Sequence, residues 1–248
     1  MKFFLAPMQG LTGYTVRNAF HHHFDYIDKY YTPFIPAAKR MNAKIKRDID
    51  PVNNDGITLI PQAMSIVADE VIDLHRQLVP YGYDEINVNL GCPSGTVVSK
   101  KRGSGILAYP DMLDSFLDEL YTKADFPVSI KTRVGFNDDE LWPRLIEIYS
   151  KYPISELTVH PRVQKDFYKN TPRMDDFALA MQKINPDKTI LCYNGDITDT
   201  NSFNALTDCF PDIDEIMIGR GLFANPALIA ELKGISMDKA ELRERLKN

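Results

Sequence analysis

Cys92 stands in Asn89-Leu-Gly-Cys-Pro93, directly after Glu85-Ile-Asn-Val-Asn89, whose alternating residue types spell a β-strand. A thiol in the loop after a strand can hand a proton to a substrate or attack it, and position alone leaves both chemistries open. The other two of the three cysteines read as small buried apolar residues, Cys192 within a strand and Cys209 near a helix end. Lys131 closes the run Val128-Ser-Ile-Lys131. It is either an ion-pair partner in a polar pocket or a cation beside a developing negative charge, as at the N1–C2=O edge of a reduced flavin. Two glycine turns, Tyr193-Asn-Gly-Asp196 and Ile218-Gly-Arg-Gly221, each follow an apolar run. Glycine lets backbone N–H groups approach an anion, the following helices offer positive N-termini, and Arg220 adds charge, so these turns predict a phosphate site. A phosphate site at one end and Lys131 at the other favour a flavin. His21-His-His23 is tempting as a metal centre, but successive helical residues point about a third of a turn apart. It reads as a solvated helix face, and no metal is expected.

These residues need elements that converge them. Eight β-rich segments end near Ala6, Thr32, Gln62, Asn89, Thr132, His160, Asn194 and Gly219, mostly 25 to 34 residues apart. That spacing is the length of a strand, a loop, a helix and a return. Between the strands the period turns helical: Val67, Val71, Leu74 and Leu78 form one stripe, and Leu113, Phe116, Leu117 and Leu120 another. Pro110 and Asp111 suit the first turn of the second of these helices. Eight such units within 248 residues predict an α/β chain folded as a (β/α)8 TIM barrel, whose chemistry gathers at the C-terminal ends of the strands. On the inward parity at those ends stand Gln62, Asn87 and Asn89, Ser129, Lys131 and Arg133, Thr158 and His160, and Asn194. Barrel interiors are commonly filled by branched apolar side chains, so such convergence of polar groups implies a polar ligand.

Composition bounds the rest. Hydrophobic residues at 44% and charged ones at 25% exclude a disordered, collagenous or coiled-coil chain. A net charge of −5 argues against nucleic-acid coating by bulk charge but leaves local basic patches, at Lys39-Arg40, Lys44 to Arg47 and Lys100-Lys-Arg102. Three cysteines without a C-x-x-C pair suggest a reducing compartment, and no apolar run is long enough to span a membrane. The chain is expected to be soluble, cytoplasmic and monomeric.

The motifs together resemble those of the tRNA-dihydrouridine synthases. The resemblance rests on Ala6-Pro-Met-Gln-Gly-Leu-Thr12 with Arg17, Asn87-Val-Asn-Leu-Gly-Cys-Pro93, Lys131-Thr-Arg133, Tyr193-Asn-Gly-Asp196 and Met217-Ile-Gly-Arg-Gly-Leu-Phe-Ala-Asn-Pro226, and spans residues 1 to about 233. It implies an FMN-dependent barrel that reduces uridines of tRNA to 5,6-dihydrouridine. Pro7, Met8 and Gln9 would border the flavin ring, Gln62 and Lys131 would bond its pyrimidine edge, and His160 would lie beside it. Asn194, Gly195, Asp196, Gly219 and Arg220 would cradle the ribityl and phosphate groups. NADPH would reduce the flavin, a hydride would pass from N5 to C6 of the uracil, and Cys92 would protonate C5. Asn89 would orient the base, with Lys100, Arg162 and Tyr168 as contacts to base or phosphate.

Two features depart from the family pattern. Pro161 lies between His160 and Arg162, where a small residue is more usual, and it removes a backbone donor. Family members also carry a C-terminal helical domain that grips tRNA. Residues 234–248 read either as a lone charged amphipathic helix, with Leu242 and Leu246 on one stripe, or as the start of that domain cut short. The division expected is thus a catalytic barrel over 1–233 and a helical segment over 234–248. A reductase of a free pyrimidine on the same barrel, and a flavin-holding or RNA-binding barrel inactive without its tail domain, stand as alternatives.

Overall fold

The computed structural model describes residues 1–38, 40–236 and 244–245 of the chain. Its sheet is parallel throughout and made of ten segments: β1 (Lys2–Leu5), β2 (Lys29–Tyr31), β3 (Ile35–Pro36), β4 (Leu59–Ile60) and β5 (Gln62–Met64) come first. Then follow β6 (Ile86–Leu90), β7 (Val128–Gly135), β8 (Glu156–Val163), β9 (Ile190–Tyr193) and β10 (Glu215–Ile218). The hydrogen-bonded order is β3-β5-β6-β7-β8-β9-β10-β1-β2-β4. β4 and β5 are two halves of one stretch, separated by Pro61, and they pair with β2 and with β3 and β6 respectively. Proline has no N–H to give a ladder. Beyond it the amide of Gln62 donates instead to the Thr32 hydroxyl, at 2.9 Å. β2 and β3 are likewise one interrupted strand, so the sheet returns to itself as an eight-stranded barrel.

Side-chain parity sorts the barrel into two cores. Phe4, Ala6, Tyr31, Ile60, Cys192 and Met217 form a cluster of their own inside the ring. The opposite parity, including Val88, Ile130, Leu157 and Ile216, joins the larger core beneath the helices. Those helices are α1 (Tyr14–His23), α2 (Ala43–Ile49), α3 (Ala68–Leu78), α4 (Gly95–Val98) and α5 (Pro110–Lys123), then α6 (Trp142–Ser150), α7 (Met174–Lys183), α8 (Thr200–Cys209), α9 (Arg220–Ala224) and α10 (Leu228–Leu232). On α3, Val71, Leu74 and Leu78 are buried as expected, but Val67 precedes the helix and is exposed. Leu113, Phe116, Leu117 and Leu120 of α5 are all buried, and Pro110 opens the helix. Cys209 ends α8 and is exposed, which corrects its reading as a buried residue. Amphipathic helices ordinarily leave their last turn half in water.

The lower half of the ring is closed by polar bonds as well as packing. Glu156 accepts from the Tyr31 hydroxyl at 2.7 Å, the Thr158 hydroxyl at 2.8 Å and the Lys29 ammonium at 2.7 Å. Lys39 and the leucines expected to make the terminal stripe, Leu242 and Leu246, lie outside the described residues. No helix among the described residues is long and apolar enough to cross a membrane.

Candidate active site

A cavity of about 550 Å³ opens at the C-terminal ends of the strands. That volume is in the range of pockets that enclose a cofactor or a small ligand. Pro7, Met8 and Gln9, in the loop after β1, wall one side of it, and Cys92 and Asn89 lie across from them. Lys131, His160 and Tyr168 belong to the same wall system, and Asn194, Gly195, Asp196, Gly219 and Arg220 line one end.

Three expected site residues do not line it. Gln62 is fully buried one layer below, in a chain of side-chain amides. Asn87 donates to the Ser129 hydroxyl at 3.0 Å, Gln62 donates to Asn87 Oδ1 at 2.8 Å, and Asn89 donates to Gln62 Oε1 at 2.7 Å. Lys100 lies exposed just beyond α4, away from the lining. Arg162 is buried behind the glycine turns, where it donates to Asp196 with both terminal nitrogens and to the Asn170 carbonyl at 2.5 Å.

At the glycine end a Cβ on Gly221 would lie 2.1 Å from the Ile197 carbonyl oxygen, so no other residue fits there without moving backbone. A Cβ on Gly219 would touch Ala6 at 3.4 Å and Met8 Sδ at 3.7 Å, filling the space between the turn and the β1 loop. The two following helices differ from expectation. Asp199 caps α8 by accepting from the Ser202 amide at 2.8 Å, so that N-terminus is already satisfied by its own chain. Of the two, α9, a single turn, begins at a lining residue, Arg220. Arg220 donates to Asp196 at 2.6 Å. Burial alone would raise the Asp196 carboxyl, but Arg162 and Arg220 outweigh it and hold its pKa below the ordinary value.

Electrostatics across the rest of the cavity are dominated by cations. Lys131 has no hydrogen-bond or ion-pair partner among the described residues, and burial, with Arg133 beside it, brings its pKa down to about 7. His160 is held well below its ordinary value by burial and by Arg133, Lys131, Arg162 and Arg220. Its Nε2 lies 3.2 Å from a guanidinium nitrogen of Arg162, which can only donate. The ring is therefore neutral, with its proton on Nδ1. Burial pushes the Cys92 thiol up, against the Ser94 amide and the charges of Arg133 and Lys131. At neutral pH it keeps its proton, as an acid must.

Arg133 was legible as an inward strand residue, but not as the centre it is. It is 2% exposed and donates to three carbonyls, those of Gly91 at 3.0 Å, Val163 at 2.9 Å and Phe167 at 2.8 Å. It thereby ties the Cys92 loop to the loop after β8. In that second loop Phe167 has φ of +51°, a conformation that bulky residues rarely take. Its neighbour Tyr168 is half exposed over the cavity, with the guanidinium of Arg220 4.9 Å and that of Arg133 5.6 Å from its ring centroid. Phe34, Leu11 and Phe167 also line the cavity; Leu11 lies in the motif that follows the first strand, whereas Phe34 and Phe167, apolar residues in loops, carried no signal in the sequence.

Barrel and cavity together define a (β/α)8 protein with a cation-rich mouth, and solved structures share that fold at low sequence identity. A variant of NCR from Zymomonas mobilis matches with a TM-score of 0.63 and 11% identity, covering 98% of this chain and 90% of that one. Morphinone reductase matches at 0.62 and 10%, over 97% and 88% of the two chains. The chain belongs to the dihydrouridine synthase (Dus) family, whose model matches residues 4–247. A probable tRNA-dihydrouridine synthase of Staphylococcus aureus is 34% identical over 154 residues, 60% of this chain and 46% of that protein. The tRNA-dihydrouridine synthase B of Pasteurella multocida is 26% identical over 243 residues, 94% of this chain and 69% of that protein. The chain spans about half the length of the first of these relatives.

Proposed function

We propose that this barrel binds FMN and reduces uridines of tRNA to 5,6-dihydrouridine. One observation carries the reading: a thiol kept protonated by burial and a lysine without a partner among the described residues face one cavity, whose far end is built of glycine turns and an arginine. The donor set fits a flavin mononucleotide. Lys131 would hold the electron-rich pyrimidine edge, with Gln62 supporting it from below through Asn89. His160 would donate from Nδ1, while Pro7, Met8 and Gln9 would flank the ring. Asn194, Gly195, Asp196, Gly219 and Arg220 would take the ribityl and phosphate groups. When bound and reduced by NADPH, FMN would supply the hydride for C6 of the uracil.

The remaining chemistry falls to the chain itself. Cys92 would give its proton to C5. Asn89 would set that donor, because its Oδ1 accepts the amides of Gly91 and Cys92 at 3.1 and 2.9 Å. A uridine must leave the tRNA fold to reach such a recessed site. Tyr168 at the mouth would stack on it, Lys100 would meet the RNA backbone outside, and Arg162 would act through Asp196. Residues 1–233 would form the catalytic unit, working in the cytoplasm, with the residues after them leading towards an RNA-gripping segment.

The test uses the purified chain loaded with FMN and reduced anaerobically by NADPH, then mixed with unmodified tRNA or free uridine. Reoxidation by tRNA with dihydrouridine formed is expected; reoxidation by free uridine alone would transfer the reading to a small-molecule reductase. Cys92→Ala should retain the flavin and lose product by roughly 100-fold or more, the usual scale for losing a general acid.

A further inference from the structure

Four consecutive polar groups of the backbone around Cys92 are each held by a side chain from a different part of the fold. The Gly91 carbonyl accepts from Arg133 Nε at 3.0 Å, and the Cys92 amide donates to Asn89 Oδ1 at 2.9 Å. The Pro93 carbonyl accepts from Gln164 Nε2 at 2.9 Å. The Cys92 carbonyl has the heaviest investment: it accepts both the Ser104 amide, at 3.1 Å, and the Ser104 hydroxyl, at 2.8 Å. A carbonyl oxygen has two lone pairs, so this one is saturated by a single residue twelve positions away.

Ser104 is fully buried, and the chain beside it is shaped for this contact. Gly103 has φ of +55°, and a Cβ there would lie 2.7 Å from the Cys92 carbonyl oxygen and 3.1 Å from Cys92 Cβ. A Cβ on Gly105 would lie 2.8 Å from the Val98 carbonyl oxygen. The pattern Gly-Ser-Gly therefore brings backbone against backbone on both sides and leaves one hydroxyl between them. The segment 91–105 closes into a loop whose two ends are joined at Cys92.

We infer that Ser104 is a positioning residue for Cys92: by saturating its carbonyl while Asn89 holds its amide, it fixes the backbone on both sides of the thiol and leaves only the side-chain torsion free. This rests on the reading of Cys92 as the proton donor. Aim matters there, because a donor displaced by about 1 Å can lose a hundredfold in rate.

The test compares full-length wild type, Ser104→Ala and Ser99→Ala. Ser99 is in the same loop, but its hydroxyl faces outward and bonds only the nearby Thr96 carbonyl at 3.4 Å. Alkylation of Cys92 by iodoacetamide is followed across pH by mass spectrometry of its peptide, which separates it from Cys192 and Cys209. Ser104→Ala should move the alkylation midpoint down towards that of an ordinary thiol, as the residue gains water, and Ser99→Ala should leave it where the wild type has it. With tRNA as substrate, Ser104→Ala should lower kcat roughly tenfold at unchanged KM. An unmoved midpoint in folded Ser104→Ala, or an equal movement in Ser99→Ala, overturns the inference. The alkylation arm needs no RNA: a moved midpoint in a protein that forms no dihydrouridine would sink the acid role and leave the positioning intact.

Discussion

Lys131 carries a pH signature that can be read without any substrate, because burial and Arg133 both oppose its charge. Its folded pKa, about 7, lies below its ordinary 10.5. Between those values the unfolded chain binds more protons than the folded one, so stability rises with pH across that window. The flavin-free protein should accordingly gain stability from about pH 7 to 10, and Lys131→Met should flatten that part of the curve, as followed by thermal melts at each pH. A ligand that presents negative charge to Lys131 would restore the proton. Binding of FMN at pH 8 should then take up to one proton in the wild type, and none through this group in Lys131→Met, read by calorimetry in buffers of different ionisation heat. Lys131 was legible in the sequence because strand parity alone aims it inward. The same parity aimed Arg133 inward, but its tethering role, like that of Ser104, was not legible, since their partners are backbone carbonyls of loops, and no spacing encodes those.

Among the elements, the turns after β9 and β10 leave little room for an added atom. Gly221→Ala would press a methyl group against the Ile197 carbonyl, a backbone atom that cannot turn aside. A loss of roughly 1–3 kcal/mol is expected, the usual range for overpacking, together with faster loss of bound flavin. Gly95→Ala is the matched control: nothing lies within 4 Å of the added carbon at the start of α4, and melting should be little changed. The strand-and-helix beat was readable along the chain because apolar periodicity changes with each element, as in α5. The break at Pro61 was the exception. It drops Gln62 into the amide chain below the cavity floor, where parity had placed it at the rim. The capping of α8 by Asp199 escaped notice for a related reason: an aspartate after a glycine turn looks the same whether it serves a ligand or its own helix.

On the scale of the whole molecule, a chain of net charge −5 sets four cationic residues, Lys131, Arg133, Arg162 and Arg220, around His160 at one end of the barrel, two of them, Arg162 and Arg220, bonded to Asp196. Local fields of this kind, rather than total charge, attract an anionic partner. The barrel itself was legible from length and rhythm, and the cavity from the convergence of polar types; the tethers between loops required coordinates. The sealed lower half has a kinetic corollary. Glu156, Tyr31, Thr158 and Lys29 are bonded across the floor, and Phe4 and Met217 pack there, so the described residues close the recess from below. A pyridine nucleotide and a nucleic-acid base would have to take turns at the same entrance, each leaving before the other arrives. Steady-state rates measured against one at several fixed levels of the other should give parallel double-reciprocal lines, and intersecting lines would mean that both can be aboard at once.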